Sequence, residues 1–375
     1  MQKTSFFLLL AFMITACTSA PPAAETEATP PAAEAAQTVL SIQGNQFLIN
    51  GELTYKGREW EGHKVEGLLM NSRMVQGVFD DSNPETRDLF IYPDTKKWDP
   101  DRNTNEFVDA MDNWYKHGLL AFTINLQGGS PTGYGNKNWN NSTFDEAGNL
   151  KPAYLTRLEK ILKKSDELGM VPIIGYFYFG QDQYLKDEAA IVNATSKMTD
   201  WLLNTGYQNI MVEVNNECDV KAYDHEILMP ERVHELVELV RSKTLNGRRL
   251  LVGTSFKGNA IPTPNVTKVS DFILIHGNGV KQPERITEMV ALTKEVEGYT
   301  GQPILFNEDD HYDYDQPAFN MGNAVKAYAS WGYFDFRRKD ESDITIGYQS
   351  VPVDWRINSP RKEAFFGKLK EITGM

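Results

Sequence analysis

Apolar and polar positions alternate along this chain in a repeating order of short apolar runs and longer amphipathic stretches. Residues 39–55 read as two or three short strands, broken at Gly44-Asn45 and Asn50-Gly51, dipeptides that accept positive φ cheaply. Beyond them, strands are predicted at 67–79, 119–125, 171–179, 210–214, 250–254, 272–276, 304–306 and 331–336. Helices are predicted at 105–117, 152–168, 189–203, 230–245, 283–296, 319–329 and 360–372. Phe107, Met111 and Trp114 share one face of the first helix. Leu155, Leu158, Ile161, Leu162 and Leu168 do so in the second. The strands are continuous apolar runs, as expected where both faces of a parallel sheet are covered. Eight β/α units after a hairpin predict a (β/α)8 TIM barrel, with the hairpin closing its bottom. Neither a P-loop nor a strand-linked dinucleotide fingerprint is present, and no internal repeat is found. The long loops 80–105, 127–151, 180–187 and 309–317 all follow strands, on the edge where barrel enzymes carry their chemistry.

The N-terminus has a different pattern. Residues 1–16 hold Lys3, an apolar run over 6–14 and small residues before Cys17, which predicts a secretory signal too short for a retained span. Ile14-Thr15-Ala16-Cys17 resembles a bacterial lipobox, which implies cleavage before Cys17 and its lipidation. An ordinary signal peptide is the alternative. Residues 17–37 are rich in Ala, Pro, Glu and Thr and lack periodicity, so they read as a flexible tether, leaving 38–375 as one catalytic domain. The lipobox places the protein in the bacterial cell envelope, anchored to a membrane by its N-terminal lipid, with the outer membrane expected, facing the periplasm or the surface. The only other cysteine is Cys218, so a lipidated Cys17 leaves no disulfide. The net charge of −13 argues against nucleic acid as a partner, because such binders need a basic face.

The candidate chemistry lies where two buried runs turn polar: Ile210-Met-Val-Glu-Val-Asn-Asn-Glu217 and Ile304-Leu-Phe-Asn-Glu308. Polar clusters directly after apolar strands are costly unless they line a cavity. Strands four and seven of eight face one another across a barrel mouth, which would let two carboxylates approach to about 5 Å.

This pattern resembles the clan A glycoside hydrolases, the family-5-like (β/α)8 retaining enzymes. Asn216-Glu217 matches their asparagine and acid/base glutamate ending strand four, and Glu308 matches the nucleophile ending strand seven. Residues 47–51 resemble the N-terminal hairpin common in that clan. The resemblance implies that Asn216 bonds the sugar 2-hydroxyl and that the substrate is a poly- or oligosaccharide cleaved by double displacement. It calls for no cofactor and no catalytic metal.

Further substrate-binding candidates each carry a competing reading. Arg73 either orients or ionises Glu308 or forms a surface or inter-loop salt bridge. His276 either touches the nucleophile or is a core or loop-bracing histidine, and the clan often has a tyrosine in that region. Trp331 is either an aromatic floor for the sugar or core. One pair of the alternating Tyr176/Tyr178 and Phe177/Phe179 faces inward, which makes Tyr178 a candidate. Asn125, with Gln127 and Gln181, offers amides suited to sugar hydroxyls or to loop bracing. Trp139 is either a stacking platform or a loop anchor. The acidic run 308–315 lacks EF-hand spacing and reads better as a solvated rim than as a calcium site. Cys218 reads as a small buried thiol. The alternatives to a glycosidase are a glycan-binding lipoprotein without turnover and a metal-dependent barrel hydrolase. The scattered histidines, with no His-x-His pair, count against the latter.

Overall fold

The computed structural model describes residues 36–375 apart from residue 136. Cys17, the signal segment and most of the tether lie outside the described residues. The chain enters through an antiparallel sheet of β1 (Leu40–Gln43), β2 (Gln46–Ile49) and β3 (Glu52–Leu53), followed by a small hairpin of β4 (Glu59–Trp60) and β5 (His63–Lys64). The Leu40 N–H donates to the Gln208 carbonyl at 3.0 Å, just before a barrel strand begins, so this sheet seats at the barrel bottom. Asp166, on the second helix, accepts from the Gln37 and Thr38 N–H groups at 2.9 Å each and so fixes the point of entry.

Eight parallel strands follow: β6 (Asn71–Arg73), β7 (Ala121–Asn125), β8 (Val171–Phe177), β9 (Met211–Asn215), β10 (Leu251–Gly253), β11 (Ile273–His276), β12 (Ile304–Glu308) and β13 (Gly332–Tyr333). Six are paired in the order β10-β9-β8-β7-β6-β13, and β11 pairs with β12. Single parallel bridges, Ser255 to Leu274 and Leu305 to Ser330, join the two groups and close the ring into a (β/α)8 barrel. The helices are α1 (Pro100–Tyr115), α2 (Pro152–Leu168), α3 (Glu188–Thr205), α4 (Val233–Ser242), α5 (Pro264–Val269), α6 (Glu284–Glu295), α7 (Asn320–Lys326) and α8 (Pro360–Thr373).

Several boundaries differ from the sequence expectation. α1 starts at Pro100 rather than 105, because Asp99 caps it by accepting the Arg102 N–H at 2.9 Å and Pro100 occupies the first turn. The predicted strand 67–79 shortens to β6, after which Val75–Val78 wind into a 3-10 turn. α5, of six residues, is too short to show a helical period. The eighth strand contracts to Gly332–Tyr333. Beyond it a long segment, not anticipated, packs Tyr348, Val351 and Trp355 against the barrel. Trp355 bonds back to α1: its Nε1 donates to Asn103 Oδ1 at 3.1 Å, and its carbonyl accepts from Trp114 Nε1 at 3.1 Å.

Candidate active site

The upper barrel interior is polar. Asn71 and Arg73 on β6, Asn125 on β7, Glu213 on β9 and Asn307 on β12 are all buried. The register aligns Asn125 with Gly175 and Gly175 with Glu213, so these three residues share one level. Gly175 is required there: a Cβ would come within 2.4 Å of Asn125 Oδ1. A carboxylate on an interior strand position costs several kcal/mol unless it is paired, on the order of what a lost buried ion pair costs. Glu213 Oε2 lies 3.5 Å from Arg73, and Glu213 Oε1 accepts from Asn307 Nδ2 at 3.3 Å.

Arg73 extends upward from this layer. Its Nε lies 2.6 Å from Glu308 Oε2, and its Nη2 donates to Asn216 Oδ1 at 2.5 Å. Arg73 therefore meets Glu308 as a buried ion pair inside the barrel and does not bridge surface loops. Asn278 Nδ2 donates to the other oxygen of Glu308 at 3.0 Å. His276 Nδ1 lies 3.1 Å from Glu217 Oε1 and 3.8 Å from Glu308 Oε2. One oxygen of each glutamate and a ring nitrogen of His276 all fall within 4.8 Å of one another.

Glu217 sits just past β9 with φ 49°, a left-handed conformation that an ordinary side chain adopts only when its surroundings impose it. Its N–H donates to Ser255 Oγ at 2.9 Å, and the next N–H, of Cys218, donates to the Ser255 carbonyl at 2.9 Å. These two bonds to the strand-five end hold the turn that aims Glu217 at the mouth. Its side chain is 15% accessible, against 6% for Glu308.

Charge is unevenly balanced here. Burial pushes the Glu308 carboxyl up to about 7, against the pull of Arg73 and His276 and with the help of Glu217 and Glu213. Burial also raises Glu217, but the His276 hydrogen bond and charge outweigh it and hold that carboxyl below its usual value. Burial lowers the His276 ring, and the two glutamates more than reverse this, so it stays above the ordinary imidazole value. The two glutamates titrate as a coupled pair, and His276 spans them.

The other sequence candidates separate. Tyr178 is at the mouth, its hydroxyl 3.0 Å from Ser130 Oγ and its phenol raised by burial and by Glu308. Tyr176 instead turns out to Thr199 of α3, at 3.2 Å, so the two tyrosines do not form an inward pair. Asn125 lies at the Glu213 level within the barrel rather than on the rim. Trp331 is not a sugar floor: it is fully buried, donates Nε1 to Asp309 at 2.9 Å and packs against Phe365 of α8 with centroids 6.0 Å apart. A residue at the start of a strand lies below the mouth. Trp139 is a loop anchor: it is 2% exposed and packs in a cluster with Phe79, Phe90 and Val351. Gln181 and Gln127 also brace loops, Gln181 through the Trp139 carbonyl at 2.8 Å and Gln127 through the Gln181 carbonyl at 3.2 Å.

Sequence reasoning assigned no role to Glu213, Asn307, Asn278 or Tyr134. Glu213 left a signal, a carboxylate inside an apolar strand. Asn278 left a weaker one in His276-Gly-Asn. Nothing in the sequence marked Tyr134, because its place depends on how a long loop crosses the barrel. In the acidic run, Asp309, Asp310 and His311 do come together within 4.8 Å. However, Asp309 already accepts from His311, Asn320 and Trp331, which makes it a structural carboxylate. Clefts of about 400 Å³ beside Asp166 and about 520 Å³ beside Tyr92 and Arg102 lie away from the paired glutamates.

No protein-family model matches the chain, and no curated protein matches it in sequence. Solved structures do match. An endo-1,4-β-mannanase of Rhizomucor miehei aligns over 90% of this chain and 99% of its own, at 11% identity and TM-score 0.56. A GH5-4 broad specificity endoglucanase of Ruminococcus flavefaciens aligns over 82% and 97%, at 14% identity and TM-score 0.53. A glycoside hydrolase family 5 protein of Bacteroides vulgatus aligns over 88% and 70%, at 13% identity and TM-score 0.51. A larger Bacteroides vulgatus protein, matched at 13% identity and TM-score 0.50, is spanned over 59% of its length. At these identities the likeness is one of architecture: the chain has the (β/α)8 fold seen in family 5 glycoside hydrolases.

Proposed function

We propose that the protein is a retaining glycoside hydrolase acting on a poly- or oligosaccharide. The observation that carries this reading is the pair of glutamates ending β9 and β12, with oxygens within 4.8 Å of one another. Carboxyl groups roughly 5 Å apart suit a covalent glycosyl intermediate, whereas inverting enzymes need room for a water between them. Structural neighbours that are named endoglucanase and mannanase support the substrate class.

In this reading Glu308 attacks the anomeric carbon and forms the glycosyl ester, expelling the leaving oxygen, which takes a proton from Glu217. Glu217 then removes a proton from water as the water displaces Glu308. Arg73 and Asn278 hold both Glu308 oxygens, which suits a nucleophile whose direction of attack must be fixed. Asn216 has its carbonyl oxygen committed to Arg73, which leaves its N–H₂ to donate to a sugar hydroxyl. The first step needs Glu308 ionised and Glu217 protonated, and His276 lies in reach of both. In a coupled pair the site of the proton belongs to the pair and is moved by small changes such as substrate arrival.

The test uses protein lacking residues 1–37, assayed on a panel of aryl glycosides with the product anomer read by proton NMR. Retention in the wild type is expected, with activity lost in both Glu217→Gln and Glu308→Gln. Full activity in both variants would sink the mechanism, and binding of oligosaccharide without turnover would favour a glycan-binding protein instead. Membrane attachment through a lipidated Cys17 is part of the same proposal. It is tested by the mass of the mature N-terminus and by release from membranes on Cys17→Ser.

A further inference from the structure

The segment after β7 does not stay near its own strand. Its chain turns at Gly128 (φ 68°), where a Cβ would stand 2.5 Å from the Tyr178 side chain, so only glycine lets the backbone pass this closely. The Gly129 carbonyl accepts from the buried amides of Gln76, at 2.6 Å, and Gln349. The Pro131 carbonyl accepts the Val351 N–H at 2.8 Å. Gly133 then packs on Phe336, and Tyr134 lays its ring edge-on to Phe336 and Phe334 with centroids 4.6 and 5.7 Å apart. The Tyr134 hydroxyl donates to Asp310 Oδ2 at 2.7 Å and accepts from Asn278 Nδ2 at 3.0 Å. The same Asn278 nitrogen holds Glu308. A strap that leaves strand two thus crosses the segments following strands one and eight and ends on those following strands seven and six.

The side of the site it covers follows from the chemistry, and this step rests on the glycosidase reading above. Nucleophile and leaving oxygen lie on opposite sides of the anomeric carbon, and the acid must stand beside the leaving oxygen. With Glu308 as nucleophile and Glu217 as acid, the leaving portion departs on the strand-four side. The retained sugar, and anything attached to its non-reducing end, lies on the side of strands seven, eight and one. That is the side the strap occupies.

We propose that the strap 128–135, tied down through Tyr134, ends the cleft immediately beyond the retained sugar, so that the enzyme removes sugars from non-reducing chain ends and does not cut within chains. The full mature protein would be given 4-nitrophenyl β-glucoside and β-mannoside, cello- and manno-oligosaccharides labelled at the reducing end, and soluble carboxymethylcellulose and mannan. The expected products are monosaccharide and a labelled chain one unit shorter, with polymer viscosity unchanged while reducing sugar accumulates. A Pro131→Gly/Tyr134→Gly variant should then release di- and trisaccharides as well. Early loss of polymer viscosity in the wild type, or an unchanged product profile in the strap variant, would overturn the proposal while aryl glycoside turnover left the glycosidase reading intact. No hydrolysis of any probe would remove both.

Discussion

At the end of β12 two acids follow one another, Glu308 turned toward the barrel axis and Asp309 toward α7, and both are buried, at 5% and 0% exposure. Asp309 receives four donors: the His311 N–H at 3.2 Å, His311 Nδ1 at 2.6 Å, Asn320 Nδ2 at 2.9 Å and Trp331 Nε1 at 2.9 Å. Glu308 has the Arg73 guanidinium and the Asn278 amide, and it faces Glu217 and Glu213, whose charges oppose its own. One carboxylate is saturated and the other is held in tension. The same strand therefore does two jobs. Its outer acid ties β12 to α7 and β13, and its inner acid is left with an affinity for protons that chemistry can use. Buried charge with unsettled partners is costly, and folds keep it where function requires it.

The largest expected effect separates the two acids by activity. Glu217→Gln should lower kcat by roughly 10²–10⁴, the range for loss of an acid–base group, and Glu308→Gln, which removes the nucleophile, by at least as much, while Asp309→Asn should retain measurable turnover on the same aryl glycosides. Equal losses in all three would erase the distinction. Next, stability should run the other way. Asp309→Ala leaves buried donors on Trp331 and Asn320 without an acceptor and should cost roughly 3 kcal/mol, read by denaturant unfolding. Glu308→Gln removes one of three carboxylates gathered on Arg73 and His276. It should leave the protein at least as stable as the wild type at pH 8, with Tm raised by roughly 2 °C. A large drop in Tm would show that Glu308 is a structural partner after all.

Smaller effects follow from pH. Glu308 holds its proton more tightly folded than unfolded, so its contribution favours the fold at low pH and is lost as pH rises from the ordinary carboxyl value of 4.5 to about 7. Glu308→Gln should flatten the stability profile over that window. His311 is raised from 6.5 to about 9, first by its bond to Asp309. Its contribution is complete below pH 6.5 and lost as pH rises through 9, so wild-type Tm should decline there and His311→Gln should not. A variant that tracks the wild type across that interval would remove His311 from the account.

Much of the barrel was legible because its strands are buried on both faces and its helices are amphipathic, so periods of hydrophobicity map directly onto elements. The 152–168 helix is placed to the residue, since Pro152 opens it and Gly169, in the left-handed conformation, ends it. The two glutamates were legible for a related reason: a polar end on an apolar strand needs a cavity. Arg73 and His276 were legible as candidates to touch Glu308, but the contacts of Arg73 with Glu213 and Asn216 and of His276 with Glu217 were not, because they join strands far apart in the chain. Trp331 and Trp139 went the other way. An aromatic residue shows its bulk in sequence but not which face it lies on. Tyr134 was invisible, since its position rests on the buried amides Gln76 and Gln349 that steer a loop across the barrel.

The central claim is that Glu308 forms the covalent intermediate and Glu217 carries the proton. The most direct measurement is to trap that intermediate with activated 2-deoxy-2-fluoro glucosyl and mannosyl donors and to locate the added mass by peptide mapping. The account predicts a single sugar ester on the peptide containing Glu308, formed more slowly in Arg73→Met. An ester on Glu217, or turnover with inverted product and no adduct, would contradict it.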